Sequence, residues 1–549
     1  MNGQDARAIT YARGVPKSLL PSWSLLTLEL VVILALAAVV RLYYIRQPFV
    51  DAFSWRQSST AMMAENFYRG NWNIFYPEVR WTGPGPSYQG REFQTMSYIA
   101  ALAYVALGQH DWIGRFVSLL FGLLGIFSLY QLVRSLWGER RAIITAVVMA
   151  VLPGSVFIER SFLPDSAMVA LVTTGFWLLV RYLQTGKSGW LIASGVIGAW
   201  GFCSKITGLI LCLPMAYAAL AILNQKRRLT GNRVAALALF ALLAFTPVAA
   251  YYLWARHLAL SYPPYHFAGD GNWIWNDGLR SWLRQDYFLP GLAHHLKGWV
   301  WTIPSIGLII IGLISGARPG KSDVTSADGI AEDGMAQAPW LFHWWAVACV
   351  IYYLIGAKEL VNNPWNLHLF NPAAAALAAS AIYFLSSLAA RAVAPLASIL
   401  VTTALIGAVY LSGQSGLRYM YNDYASDGYK LGLALRQATA PEDLVITMTS
   451  DLGDPVAIYY SSRRGWVFPP AQPGVAWSQL PEDDTESIRL LEQLRASGAG
   501  WLAITEKRKI DLENHHTIFL EYINRTWGLS YTSTEGAIYR MLSPGNNSR

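Results

Sequence analysis

Charge is what this sequence has least of. Charged residues make up 14% of the 549 positions, against about 25% in an ordinary soluble domain. Hydrophobic residues reach 54%. That balance excludes a single water-soluble core, and the length calls for more than one structural unit. Cysteine is scarce too. Cys203, Cys212 and Cys349 all fall in or beside apolar stretches. They offer no disulfide framework and no metal-type Cys/His spacing, so the redox compartment is not legible from them. There is no internal repeat. Against these absences stand 23 Trp and 29 Tyr, residues that favour the membrane–water interface. The formal net charge of +8 would suit nucleic acid in a soluble protein. In a membrane protein it suits cytoplasmic loops, and no nucleic-acid partner is expected.

Apolar runs of about twenty residues are long enough to span a bilayer as helices. They fall near 22–42, 113–135, 142–158, 166–183, 189–204, 207–223, 234–254, 298–315, 340–356, 367–388 and 394–413. The first lacks a small-residue cleavage site and reads as a retained signal anchor behind a polar start with Arg7, Arg13 and Lys17. The stretch 94–108 is short for a span. If it lies along the outer surface, Arg134, Arg140, Arg141, Arg181, Lys187, Lys226, Arg227, Arg228, Arg233, Arg318, Lys321 and Arg391 all fall inside. Counting it as a span reverses them. The positive-inside rule therefore predicts eleven spans, N-terminus in and C-terminus out.

The expected fold class is mostly α, a polytopic membrane domain over 1–413 with a small α/β domain over 414–549. Three stretches are then external: 43–112, 255–297 and the tail. In the tail, 444–449, 500–505 and 536–542 read as strands, and 486–496 and 515–526 as helices. The cytoplasmic loop 316–339 is rich in Gly, Ala, Ser and Asp.

A charge near the membrane usually has a partner or a task. Asp51 follows the first run by a few residues, and a solvated loop aspartate is its plain reading. Asp165 opens a helix in Glu-Arg-Ser-Phe-Leu-Pro-Asp-Ser, where a carboxylate also simply favours the helix dipole. Lys205 lies between two apolar runs, where a lysine can snorkel.

Several segments resemble a known group. They are 51–68 from Asp51-Ala-Phe-Ser-Trp-Arg-Gln onward, Phe75-Tyr-Pro, Gly83-Pro-Gly-Pro and Glu92-Phe-Gln-Thr-Met-Ser-Tyr. Together they look like the first external loop of bacterial glycosyltransferases similar to the protein O-mannosyltransferases and the lipid A aminoarabinose transferase, which share the GT-C fold. Arg115, Gly-Glu-Arg-Arg at 138–141, Pro153, Arg160 with Asp165, and Ser204-Lys205 continue the likeness across 22–413. Asn366–Pro372 looks like a degenerate form of the late His/Tyr-rich loop, and implies a substrate contact for His368. Many relatives carry adjacent Asp-Glu where this chain has Asp51-Ala52, so the second acid's role is open, or passes to Glu65 or Glu92.

The resemblance implies a polyprenyl phosphate–sugar donor and a protein, lipid or glycan acceptor, at the outer face of a bacterial plasma membrane. An acceptor hydroxyl then needs a general base, and Asp51 is the choice. The leaving phosphate needs cations or a metal. Lys205 and Arg160 are the candidates, with Arg256 and His257 weaker, while Asp165 orients a cation or the acceptor. No cofactor is required outright, and a divalent metal fits the chemistry without being indicated. Two other readings stay open: a transporter or flippase of lipid-linked sugar, and a membrane-anchored binding protein working through its tail. Transporters place sites near the midplane, with broken helices and repeats, whereas these charges cluster outside.

Overall fold

The computed structural model describes residues 23–226, 230–267, 288–315, 337–471 and 479–541. The basic residues Arg7, Arg13, Lys17, Arg227, Arg228, Arg318 and Lys321 lie outside these ranges.

The chain begins with α1 (Trp23–Leu42), α2 (Ser54–Arg69), α3 (Thr95–Leu107) and α4 (Asp111–Trp137). Next come α5 (Glu139–Val151), α6 (Pro153–Ile158), α7 (Pro164–Thr185) and α8 (Ser188–Ser204). A 3₁₀ turn at Ile206–Leu211 leads into α9 (Cys212–Gln225), followed by α10 (Gly231–Ser261), α11 (Phe288–His295) and α12 (Ile303–Ser315). After α13 (Leu341–Asn362) a second 3₁₀ helix, Pro364–Phe370, precedes α14 (Asn371–Ala392) and α15 (Pro395–Met420).

Among the described residues six helical stretches are long and apolar enough to cross a membrane, or seven if a pair bent by 101° at 301–302 counts as one. The protein is an integral membrane protein, but eleven spans do not emerge by that measure. The reasons are local. The run 142–158 is broken at Leu152, which takes the extended conformation that a following proline favours. The run at 189–204 folds into 17 residues. α13 leaves helical geometry at Gly356. α3, expected to lie along the surface, is a helix of 13 residues.

Leu28, Val31, Leu36 and Val39 on α1, Leu239, Leu242 and Leu243 on α10, and Ile399, Leu400 and Leu411 on α15 are exposed. Such stripes suit lipid as solvent, which helices meet without burying apolar side chains. The helices meet one another closely instead. A Cβ added at Gly312 of α12 would stand 2.0 Å from the Leu377 carbonyl oxygen of α14.

The tail carries α16 (Ser426–Ala438), α17 (Val456–Ser461), α18 (Asp484–Ala496), α19 (Glu506–His515) and α20 (Thr517–Thr526). Its sheet runs β2-β1-β3-β5-β4, from β1 (Leu444–Met448), β2 (Arg464–Val467), β3 (Ala499–Thr505), β4 (Gly528–Ser533) and β5 (Gly536–Arg540). β1 is parallel to β2 and β3, and β5 is antiparallel to β3 and β4. β2 and β4, with α16, α17 and α19, were not expected from the sequence. β2 is short, and β4 is exposed at all but its last residue, so neither shows a clean alternation.

The loop between α2 and α3 docks on this sheet. Gly83 N donates to Gly465 O (2.7 Å), Gly465 N to Arg80 O (3.0 Å) and Val467 N to Trp81 O (3.2 Å). One apolar cluster joins Phe49, Met62, Val79 and Phe162 of the membrane part to Leu431, Val445, Ile458 and Ile538 of the tail.

Candidate active site

Asp51 lies in the short connection between α1 and α2. Phe53 takes φ 67°, ψ 24° to turn the chain into α2. A bulky residue rarely adopts this region, and here its ring is held 4.6 Å from Trp365 and 5.8 Å from Phe157, centroid to centroid. Asp51 is fully buried. Its Oδ2 accepts from Arg160 Nη1 (2.6 Å) and Arg115 Nη2 (3.0 Å), and its Oδ1 from Gln57 Nε2 (2.7 Å). Arg115 also donates to the carbonyls of Gln47 and Pro48, and Arg160 to Tyr44 O at 2.6 Å. Both arginines are fully buried, which burial tolerates only with partners of this quality.

A second ionic group forms where α2, α7 and the end of α8 approach. Lys205 caps α8 in extended conformation. Its Nζ donates to Asp165 Oδ1 (2.7 Å) and to Asn366 Oδ1 (2.6 Å). Arg56 Nη2 donates to Glu92 Oε2 at 2.6 Å. Burial alone would raise the Glu92 carboxyl, but Arg56, then Lys205 and hydrogen bonds, hold it below its ordinary value. Two atoms are left over. Asp165 Oδ2 and Arg56 Nη1 are buried and have no partner among the described residues. Buried polar groups are rarely orphaned, so an unpaired acceptor and an unpaired donor in one buried group are candidates for binding a polar ligand. Beside them a narrow cleft of about 20 Å³ opens between Arg56, Glu92, Thr60, Ser97 and Pro164.

The 3₁₀ helix Pro364–Phe370 links this group to a third. It carries Asn366 on Lys205 and, two residues on, His368. Arg41 at the end of α1 pairs with Glu159 at 2.5 Å, and His368 Nε2 stands 3.5 Å from Glu159 Oε1. Asn371 Oδ1 accepts from Trp301 Nε1, so its amide NH₂ faces His368 Nδ1 at 3.0 Å. That leaves His368 as the Nε2–H tautomer, close to Glu159 but making no hydrogen bond to it among the described residues.

The structure thus brings Asp165, Lys205 and Glu92 together, pairs Asp51 with Arg160, and sets His368 against Glu159. Arg256 is exposed on α10 and enters none of these groups among the described residues. His257 lies against Trp254 (5.3 Å between ring centroids). Glu65 pairs with Arg80 and, at 3.0 Å, Arg69 under the loop between α2 and α3, so of the two stand-ins for the second acid only Glu92 joins the Lys205 group. Arg56, Arg41 and Glu159 were given no role by the sequence reading, and Asn366 only a place in the late loop. Arg41, a charge at the end of the apolar run 22–42, was the available signal. Among the described residues no three His, Cys, Asp or Glu side chains converge as metal ligands. The negative groups here are met by Lys205 and arginines.

Residues 95–251 match the family model described as dolichyl-phosphate-mannose-protein mannosyltransferase, a stretch holding Asp165 and Lys205. Two putative mannosyltransferases of Bacillus subtilis, YkcB and YycA, are each 26% identical, over 195 and 185 residues. Each match takes in 34% of this chain and about a quarter of the relative's length (25% and 26%). Among solved structures, ArnT from Cupriavidus metallidurans bound to undecaprenyl phosphate superposes over 95% of this chain and 99% of its own, with TM-score 0.59 and 12% identity. The archaeal oligosaccharyltransferase AglB from Archaeoglobus fulgidus, in complex with an inhibitory peptide and a dolichol-phosphate, does so over 96% and 76%, with TM-score 0.55 and 14% identity. The chain has the GT-C glycosyltransferase fold and resembles the group of the protein mannosyltransferases and ArnT.

Proposed function

We propose that this chain moves a hexosyl or pentosyl group from a polyprenyl phosphate-linked donor to an acceptor hydroxyl on a protein, lipid or glycan. The reaction would take place at the outer face of a bacterial plasma membrane, with eleven membrane-crossing segments and residues 414–549 outside as an α/β domain. The observation that carries the reading is the buried group with an orphan carboxylate oxygen and an orphan guanidinium nitrogen. ArnT bound to undecaprenyl phosphate and AglB in complex with a dolichol-phosphate lend it the donor class.

In this reading the acceptor O–H gives its proton to Asp51. Among the described residues Oδ1 accepts from Gln57 alone and so keeps one lone pair. The acceptor oxygen bonds to the anomeric carbon as the bond from that carbon to the phosphate oxygen breaks. The departing lipid phosphate meets Lys205 and Arg56, each with an N–H not committed to its carboxylate partner, and preorganised donors of this kind stabilise developing charge. The prenyl chain lies in lipid along the exposed apolar helix faces.

A specific observation favours a second assignment of the base. Asp165 Oδ2 accepts nothing among the described residues, whereas both oxygens of Asp51 are engaged. Transfer from a panel of polyprenyl phosphate sugars, with mass detection of product, tests the activity. Asp51→Asn and Asp165→Asn separate the carboxylates. Removing the base should lower turnover by about 10²–10⁴-fold with donor affinity little changed. Near-normal turnover in Asp51→Asn would move the role to Asp165, and no transfer from any lipid-linked sugar would overturn the function.

A further inference from the structure

The tail makes direct contact with the connection that carries Asp51. The Asp51 connection is held on one side by Arg115, Arg160 and Gln57, and on the other by the chain from Met420 onward. Ala52 N donates to Met420 O (3.0 Å), Tyr424 N and Ala425 N to Val50 O (2.8 and 3.0 Å), and Gln47 Nε2 to Tyr421 O (3.1 Å). Deeper in the tail, Ser54 Oγ reaches Asp454 Oδ2 at 3.4 Å.

One side chain touches both arms that hold Asp51. The Tyr460 hydroxyl accepts from Phe49 N at 2.7 Å and donates to Asp111 Oδ2 at 2.6 Å. Phe49 is two residues before Asp51 in the connection itself. Asp111 is in the first turn of α4, one helical turn before Arg115, whose guanidinium binds Asp51. A single hydroxyl therefore fixes the spacing between the carboxylate's own backbone and the helix that presents its arginine. Tyr459, on the same helix α17, donates to Asp111 Oδ1 at 3.1 Å, and its hydroxyl makes no bond to the connection among the described residues.

We propose that Tyr460 is a positioning residue for Asp51, and that through it the external tail sets the geometry of the carboxylate. The proposal rests on the reading of Asp51 as base for its effect on rate, but its structural content stands apart from that reading. Movement of α17, for instance on binding an acceptor, would be transmitted to Phe49 and α4 together.

The test uses the full-length protein in detergent micelles, with Tyr460→Phe, Tyr459→Phe and Asp51→Asn. Phenylalanine at 460 keeps the ring contacts to Tyr429 and Tyr459, at 4.6 and 4.8 Å between centroids, and removes only the hydroxyl. Amide hydrogen exchange over 47–54 should quicken by about tenfold in Tyr460→Phe and stay at the wild-type rate in Tyr459→Phe, which loses a bond to the same Asp111. Turnover with whichever donor the panel identifies should fall by about tenfold in Tyr460→Phe with donor KM unchanged. Wild-type exchange over 47–54 in Tyr460→Phe, or equal quickening in both tyrosine variants, would overturn the proposal. Normal turnover in Asp51→Asn would instead remove the base assignment, and the exchange result would judge Tyr460 by itself.

Discussion

Lys205 has three N–H donors, and two of them are committed to Asp165 and Asn366. The third is what a lipid phosphate would take. Removing the lysine alone strands a buried aspartate, so Lys205→Met should cost about 3–5 kcal/mol of stability. Lys205→Met with Asp165→Asn removes both charges and should recover most of that loss while binding undecaprenyl phosphate at least about tenfold more weakly. Thermal unfolding and lipid binding on both variants check this, and undiminished affinity in the folded double variant would take Lys205 out of donor recognition. Asp454 gives a pH prediction. Burial pushes its carboxyl up to about 7, ahead of the Val456 amide bond and the neighbouring Asp451 and Asp427. The folded protein keeps that proton up to about pH 7 while the unfolded chain releases it near 3.9. Between the two the folded state binds more protons, so stability falls as pH rises, by up to about 1.4 kcal/mol per unit. Asp454→Asn should flatten this fall between pH 4.5 and 7, and melting curves that stay parallel to wild type over that range would refute it. At this scale the sequence showed which residues were unusual and not whom they meet. Asp51, Asp165 and Lys205 stood out as charges beside apolar runs. Their partners Arg115, Arg160 and Asn366 lie 64, 109 and 161 positions away along the chain, and only the fold supplies those distances.

Helix ends and breaks do most of the placing at the level of elements. Pro164 opens α7 where a missing N–H costs nothing and puts Asp165 in its first turn. Pro153 splits the run at 142–158 and lets α6 turn Glu159 and Arg160 inward. The 3₁₀ helix Pro364–Phe370 spaces Asn366 and His368 to reach two ionic groups at once. Apolar periodicity revealed the runs, and the prolines were visible, but their consequence depended on what each helix packs against. The strands of the tail divide the same way: β1, β3 and β5 lie where buried runs predicted them, while β2 is formed by pairing with residues 80–83 of a distant loop as well as with β1. Close packing at this level is open to test at Gly312. The atom a Cβ would strike is backbone, the Leu377 carbonyl, and cannot rotate away. Gly312→Ala should force α12 from α14 and destabilise by about 1–3 kcal/mol, read as a lower melting temperature of the purified protein. Gly307→Ala on the same helix, where nothing lies within 4 Å, is the control expected to melt like wild type. An equal melting temperature in both variants would mean that α12 and α14 do not pack this closely.

The whole molecule has two chemically distinct ends, and that polarity is its most testable global property. α4 runs from Asp111 and Arg115 at one end to Arg134 at the other, and α7 from Asp165 to Arg181. At about 1.5 Å per residue these helices are roughly 40 and 33 Å long, enough to separate the two ends by the hydrocarbon thickness. The ion pairs of Asp51, Asp165 and Glu159 gather at the first end. At the other end Arg134 pairs with Glu139, Lys226 Nζ donates to Gln184 O at 2.6 Å, Gln184 Nε2 to Gln337 Oε1 at 3.0 Å, and Gln337 N to Leu136 O at 3.0 Å. Loops far apart in sequence are thereby tied into one basic face, with Arg140, Arg141 and Lys187 beside them. Lysine and arginine favour the cytoplasmic side, so this face should lie inside and the ionic site with the tail outside. Single cysteines introduced at Ser188 on the basic face and at Ser533 in the tail, in a background with Cys203, Cys212 and Cys349 replaced, read the orientation directly. An impermeant maleimide applied to intact spheroplasts should label position 533 at once and position 188 only after the membrane is opened. Labelling of 188 in sealed spheroplasts with protection of 533 would invert the molecule and place the candidate site on the cytoplasmic face. Labelling of both would mean that the two ends do not lie on opposite sides of the bilayer.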